Sequence, residues 1–527
     1  MKRKTGVRIA IAVGVAVAIF GGKYVREKKA SSAAASIATP RTAAPAEPVK
    51  VIAAPRTWKV GSLTFKPCDL TRPGTGLRAA AWCTPFTVPE NRADPKGRMI
   101  PLKLAMVRSD AAVPAKDVVV FLVGGPGQAA TREYVTSSRF FDGLRKHHDI
   151  LLLDQRGTGG SNALACPEAE AQAAKEHIQY SQNLDVIQAY LKRCLAEVEK
   201  KADPRFYTTT NAIEDLAEVR KALGNPPFDL IGVSYGTRVA QQFAMRYPKA
   251  VRSLVLDSPV PNAVYLGQDI AVHLDQALHR DFALCTADAA CRKRFGDPYR
   301  TLMNLKTSLA ADPRKVTIRD PRTYRQVERM FNPTALVMVV RLFAYAPETI
   351  ALLPLSIDAA ANGDPGPLLG QESLISGDLG SDINSAMGLS VTCSEDADHI
   401  QDRPQDKDTL MGDLFIRQLK AQCAIWPHGA VPANFHQPLT GDIPTLVLSG
   451  QLDPVTPPAW GKAIVSHLSN ARQLVLKGQG HAEMMRGCAP RVIRRFIDHP
   501  DPEKLDASCL DQLGPTPIFI DFNGATP

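Results

Sequence analysis

The stretch FDLIGVSYGTRVAQQFAMRYP, beginning at Phe228, restricts this chain more than any other. Phe228 to Val233 is a short apolar run of the kind a buried strand shows. From Thr237 onward, Val239, Ala240, Phe243, Ala244 and Tyr247 recur at helical spacing, and the pattern ends before Pro248. Between them stands Gly232-Val233-Ser234-Tyr235-Gly236, a G-x-S-x-G at a strand-to-helix turn. In that context the serine hydroxyl projects from a sharp elbow, the position of a nucleophile. The two glycines fit because neighbouring backbone approaches within the space of a Cβ. The competing reading is a small residue in a crowded turn, and only partner residues elsewhere can decide between them.

Similar apolar runs recur along the chain. Candidate strands are Ile100 to Met106, Val118 to Val123, Ile150 to Asp154, Asp229 to Val233, Ser253 to Asp257, Thr445 to Ser449 and Gln473 to Leu476. Helical patterns separate several of them, notably Ala212 to Leu223 and Thr237 to Arg246. This alternation predicts an α/β fold: a mostly parallel central sheet with helices on both faces. Residues 259–438 interrupt it with helices and loops, which predicts a large, mainly helical lid or cap inserted between two core strands. The expected organisation is therefore core at 57–258, cap at 259–438, core again at 439–512 and a tail at 513–527.

A serine hydroxyl attacks only when a base takes its proton, and the base needs a third group to orient it. IPTLVLSGQLDPVTPP ends a strand with Asp453, and RQLVLKGQGHAE ends the next with His481 in a Gly-rich loop. Asp453 is expected to orient His481, which takes the proton from Ser234. Asp257, after the preceding strand, is a competing acid, and Asp453 is preferred because its loop precedes the histidine strand directly. His147, His148 and Asp149 also sit together, but without a metal-binding spacing, and read as structural. The tetrahedral intermediate also needs hydrogen-bond donors for its oxygen. VVVFLVGGPGQAA ends a strand in uncovered backbone N–H groups, so Gly124 or Gly125 with Tyr235 is the expected oxyanion hole. Such chemistry requires no cofactor and no metal.

The net charge of +10 invites a nucleic-acid partner, but its distribution argues against one. The first 29 residues carry +7, and the rest holds 55 basic against 52 acidic side chains, with no basic stripe. Met1 to Arg8 is a basic leader to the apolar run IAIAVGVAVAIF, the pattern of an export signal. As a helix those residues would span about 18 Å, short of a bilayer core of roughly 30 Å. A cleaved signal and an uncleaved N-terminal membrane anchor both remain open, and both deliver the body outside the cytoplasm. Residues 30–56 are rich in Ala, Ser, Thr and Pro and read as a linker. The cysteines fall into neighbour pairs: Cys68 with Cys83, Cys166 with Cys194, Cys285 with Cys291, Cys393 with Cys423, and Cys488 with Cys509. Five local disulfides are the simplest expectation for an exported chain.

GGPGQAA, then LLDQRGTGGSNAL, then GVSYGT resemble the prolyl-iminopeptidase group of α/β-hydrolases. The exported, tripeptidyl aminopeptidase-like (TAP-like) branch is the nearer likeness. It shares the early segment WCTPFTVPENRADPKGRMIPLKLAMVR, and the pairing of SVTCSEDAD with CAIWP before the acid. The chain departs at Val123, where the iminopeptidases commonly carry histidine, which bears on the oxyanion loop alone. The resemblance implies an α/β-hydrolase fold and an aminopeptidase acting on peptides with a free N-terminus. Glu395 and Asp396, in TCSEDADH, are then the expected amine-binding carboxylates. Asp154 and Arg156 read as residues that brace a loop. A carboxylesterase using the same three residues is the alternative, and a non-catalytic binding module with a hydrolase fold is a remote one.

Overall fold

The computed structural model describes residues 56–525, except 177, 179, 180, 322 and 381–384. The leader and almost all of the linker lie outside the described residues. Ten strands form one sheet: β1 (Trp58–Val60), β2 (Leu63–Thr71), β3 (Arg78–Pro89), β4 (Met99–Val107), β5 (Val118–Leu122), β6 (Asp149–Leu153), β7 (Phe228–Val233), β8 (Val251–Asp257), β11 (Thr445–Gly450) and β12 (Ala471–Leu476). Their order is β1-β2-β3-β4-β6-β5-β7-β8-β11-β12. The strands from β1 to β6 in that order pair antiparallel, and those from β6 to β12 pair parallel.

The parallel strands are nearly continuous in burial because both faces are covered, and the side chains divide between the faces with a period of two. Val118, Val120, Leu151, Leu230 and Leu254 enter one core layer, whereas Val119, Phe121, Ile150, Ile231 and Val255 enter the other. The helices Thr209–Ala222 and Tyr235–Arg246 cover the first layer through Ile213, Leu216, Val239 and Phe243. The helices Ala130–Phe141 and Ala489–Asp498 cover the second through Tyr134, Phe141, Val492 and Phe496.

The chain leaves β5 toward β6 on one side, and β7 lies on the other side of β5 and leads on to β8. The C-terminal ends of β5 and β7 therefore flank the point where the connections diverge, which is where open α/β sheets bind ligands.

Between β8 and β11 the chain builds helices around a core of their own, including Leu274, Leu278, Leu336, Val339 and Leu353. The expectation of helices and loops alone needs correction here. Strands β9 (Arg314–Arg319) and β10 (Gln326–Phe331) form an antiparallel hairpin within the segment. Each strand is only six residues long and charged residues separate its few apolar ones, so an apolar scan passes over them. The strands β1 to β3 extend the sheet beyond the expected strands; Lys59, Lys66 and Pro67 interrupt the apolar pattern of β1 and β2. Five disulfides join the neighbour pairs Cys68–Cys83, Cys166–Cys194, Cys285–Cys291, Cys393–Cys423 and Cys488–Cys509.

Candidate active site

Ser234 follows β7 with φ 54° and ψ −124°, a strained backbone for a non-glycine residue. The elbow is fixed on both sides. The Ser234 N–H donates to the Asp257 carbonyl at 2.9 Å, and the Thr237 hydroxyl donates to the Ser234 carbonyl at 2.6 Å. A Cβ on Gly236 would stand 2.2 Å from the Leu122 carbonyl oxygen, and one on Gly232 would stand 2.6 Å from the Gly236 oxygen. Both glycines are therefore required by close backbone approach.

Asp453 lies just past β11 and His481 just past β12, so both reach the same edge of the sheet as Ser234. His481 Nδ1 is 2.8 Å from Asp453 Oδ2. Asp453 is fully buried and also accepts from the N–H groups of Val455 and Thr456, each at 2.8 Å, and from the Thr456 hydroxyl at 2.7 Å. Four donors thus fix one carboxylate. Burial disfavours a charged His481 ring, but the Asp453 charge and hydrogen bond outweigh it and raise the ring's pKa. With Asp453 accepting at Nδ1, Nε2 is the basic nitrogen. Ser234 and His481 are not hydrogen-bonded to each other in this structure, yet both border one cavity of about 560 Å³. Such bonds commonly tighten only when substrate is present.

Asp257, the competing acid, does something else. Its carboxylate accepts from the N–H groups of Glu483 and Met484, each at 2.8 Å, and so anchors the loop that carries His481. Burial pushes its pKa up to about 6. The cap holds the same loop from above: the His481 N–H donates to the Tyr345 carbonyl at 2.8 Å, and the two rings meet edge to face at 5.2 Å.

Gly124 and Gly125 line the cavity beside Ser234. A Cβ on Gly124 would be 3.1 Å from the Ser234 Cβ, so the loop runs directly over the nucleophile. Tyr235 opens a helix, which leaves its backbone N–H without an intrahelical acceptor. Its hydroxyl points away, to Thr209 at 2.6 Å and Gln155 at 3.1 Å. Val123 also lines the cavity. Asp154 accepts from the Thr131 and Gly160 N–H groups, and the buried Arg156 is paired with Asp215 at 2.6 Å, so both brace the surrounding loops.

The structure does not place Glu395 and Asp396 on the cavity, which corrects the amine-binding expectation. Glu395 is buried and accepts from the Thr209 N–H at 2.6 Å and the Thr209 hydroxyl at 3.0 Å. Burial, with the Asp396 charge adding, pushes it up to about 8. Asp396 is buried against Arg238 at 2.8 Å. Thr392, one turn earlier on the helix Ser385–Glu395, is the residue that reaches the cavity. The sequence reading also missed Thr456, whose position three residues after Asp453 suits a hydroxyl that caps the carboxylate. It missed Gln128 and Glu133 on the cavity wall as well.

Among the described residues, one group has donors close enough for a metal: Asp117, His148 and Asp229. It lies at the N-terminal ends of the parallel strands, away from Ser234. Arg252 already supplies the positive charge there, 2.8 Å from Asp229 and 3.3 Å from Asp117. This is an ion-pair knot, and it fits a metal poorly.

A serine at a strand-to-helix elbow, an acid and a histidine after the next strands, and glycines over the nucleophile define the architecture. Residues 117–333 match the family described as alpha/beta hydrolase fold, and residues 408–509 match the TAP-like protein family. The chain has the α/β-hydrolase fold. The chain is 24% identical over 472 residues to the serine protease Hip1 of Mycobacterium tuberculosis, covering 82% of this chain and 88% of the relative. It is 28% identical over 191 residues to the tripeptidyl aminopeptidase of Streptomyces coelicolor, covering 34% of this chain and 35% of the relative. The solved proline iminopeptidase of Mycobacterium smegmatis aligns at 15% identity with a TM-score of 0.41, over 79% of this chain and 99% of that one. The curated relatives it resembles thus include a serine protease and a tripeptidyl aminopeptidase.

Proposed function

We propose that this α/β hydrolase is an exported serine aminopeptidase, releasing residues or short peptides from the N-termini of peptides. The observation that carries the reading is the hydrogen-bonded His481–Asp453 pair on the same cavity as the strained Ser234. The peptidase class is supported by relatives named as a serine protease and a tripeptidyl aminopeptidase. Export is supported by the five disulfides, which persist in oxidising compartments.

In this mechanism Ser234 Oγ attacks the scissile carbonyl carbon as His481 Nε2 takes the hydroxyl proton. Negative charge then moves to the carbonyl oxygen, where the N–H of Tyr235 and one from Gly124 or Gly125 receive it. One such donor contributes about 3 to 4 kcal/mol to the transition state. The C–N bond breaks as His481 returns its proton to the leaving amine, which leaves an acyl-Ser234 ester. Water enters, His481 takes its proton, and the acid product leaves with the hydroxyl restored. Asp453 keeps the ring in the useful tautomer and stabilises it while charged.

The test compares a peptide anilide bearing a free N-terminus with its N-acetylated form and with a p-nitrophenyl ester. The reading requires the highest kcat/KM on the free peptide, and a higher value on the ester favours a carboxylesterase instead. Covalent labelling by a fluorophosphonate probe, lost in Ser234→Ala, is expected on either outcome and is missing from a pure binding module.

A further inference from the structure

We infer that Glu133, a core residue, receives the ammonium group of the substrate and so sets where the chain is cut. This rests on the aminopeptidase reading above. An enzyme that acts only at N-termini must recognise a positive charge at a fixed reach from its nucleophile, and a carboxylate is the natural partner. Among the described residues, Glu133 supplies the one carboxylate that lines the cavity. Asp453, Glu395 and Asp396 are buried and do not line it.

Glu133 also stands at a defined place. It sits in the first turn of the helix Ala130–Phe141, which follows the oxyanion loop directly. The Gln128 side-chain amide donates to Glu133 Oε1 at 3.3 Å. The other end of that amide, Gln128 Oε1, would be 3.0 Å from a Cβ on Gly124, and the same Cβ would be 3.1 Å from the Ser234 Cβ. One glutamine side chain therefore bridges the carboxylate and the loop over the nucleophile. Across the cavity's charged groups the polarity is ordered. Arg341, the cavity's arginine, comes from the cap helix Pro333–Phe343, whereas the carboxylate comes from the core. A cationic N-terminus is attracted to the core wall and repelled by the guanidinium.

An extended peptide advances about 3.3 to 3.6 Å per residue, so the span from Glu133 to Ser234 selects how many residues precede the cut. Apolar side chains on that segment would meet Leu266, Ile270, Phe415 and Leu419, which line the cavity from the cap side.

The experiment uses the full-length enzyme and Glu133→Gln, which keeps the side-chain length and a hydrogen bond to Gln128 but removes the charge. Each is assayed on a peptide anilide with a free amine and on its N-acetylated form, and the products of a peptide mixture are read by mass spectrometry. We expect the free-to-acetylated ratio of kcat/KM to fall at least tenfold in Glu133→Gln, mostly through KM, and the released products to spread over more lengths than those of the parent. Glu133→Asp, one methylene shorter, should retain part of the ratio. Fluorophosphonate labelling at a rate near that of the parent protein shows that the variant is folded. A ratio and product length unchanged in a labelled Glu133→Gln overturn the assignment to Glu133. A parent enzyme with no preference for the free amine overturns it together with the aminopeptidase reading, and that failure is visible before any variant is made.

Discussion

The molecule carries a tight histidine–aspartate pair at each end of its parallel strands, and only one of them borders the cavity that holds Ser234. At the C-terminal ends, His481 Nδ1 meets Asp453 at 2.8 Å. At the N-terminal ends, His148 Nδ1 meets Asp117 at 2.6 Å. In both, burial opposes a charged ring and a carboxylate overcomes it, so both histidine pKa values are raised. The second ring nitrogen makes the difference. His148 Nε2 is occupied by Asp498 at 3.1 Å, and Arg252 completes the knot. His481 Nε2 belongs to a ring that borders the cavity shared with Ser234. A buried aspartate makes a histidine more basic, and an unfilled position beside a nucleophile makes that basicity useful.

Four experiments test the contrast. The largest effect is expected at the catalytic end, where Ser234→Ala should lower kcat by about a millionfold and Asp453→Asn by about ten-thousandfold. Both variants should melt near the parent temperature, and a melting temperature many degrees lower in Asp453→Asn would mean that the pair is structural after all.

At the other end, Asp117→Asn should destabilise the fold by about 2 to 4 kcal/mol by leaving the buried His148 and the half-buried Arg252 short of a charge. Calorimetry would read this while kcat/KM on the anilide stays within about twofold. A loss of activity without a loss of stability would break the comparison.

pH gives a third test, because the two raised pKa values act on different observables. In the proposed mechanism His481 acts as a neutral base, so kcat/KM should climb through a pKa above that of an ordinary histidine and fall as pH drops below it. His148 binds its proton more tightly when folded. Its contribution to stability is full below the unfolded histidine pKa and is lost as pH rises through the folded one. His148→Asn should therefore flatten the decline of melting temperature above the ordinary histidine range. It should leave the activity profile in place. An activity profile that shifts with His148→Asn would couple the two ends.

The smallest effect is expected for Asp257→Asn. An amide oxygen can keep one of the two N–H bonds to Glu483 and Met484, so kcat should fall only about threefold to tenfold, through looser placement of His481. A fall as deep as that of Asp453→Asn would make Asp257 the orienting acid.

The three catalytic candidates were legible because each ends an apolar strand, and strand ends in a parallel sheet share one edge. Ser234, Asp453 and His481 needed no tertiary knowledge beyond that rule. Glu395 and Asp396 were misread for the opposite reason. SEDADH has the composition of a solvated loop, but Glu395 closes a helix packed into the core, and the partners Thr209 and Arg238 lie 186 and 158 residues away. Burial at that range leaves no local trace. Glu133 was passed over because nothing in ATREY distinguishes an exposed helical glutamate from one on a cavity wall. Thr456 was within reach, since an aspartate three residues before a threonine is a local motif. The β9–β10 hairpin lay between these cases, with alternation in β9 at Val316 and Ile318 that is too short to stand out and is broken in β10 at Met330 and Phe331.

The backbone bond from His481 to the Tyr345 carbonyl has a consequence for anyone rebuilding this enzyme. Exchanging residues 259–438 for a shallower or deeper roof, to alter how much of a peptide is accepted, also exchanges one of the posts on which the proposed general base stands. A graft that respects only the outline of the cavity would give a catalyst with a wandering imidazole. One that first restores a carbonyl at that point could vary the roof and keep the chemistry.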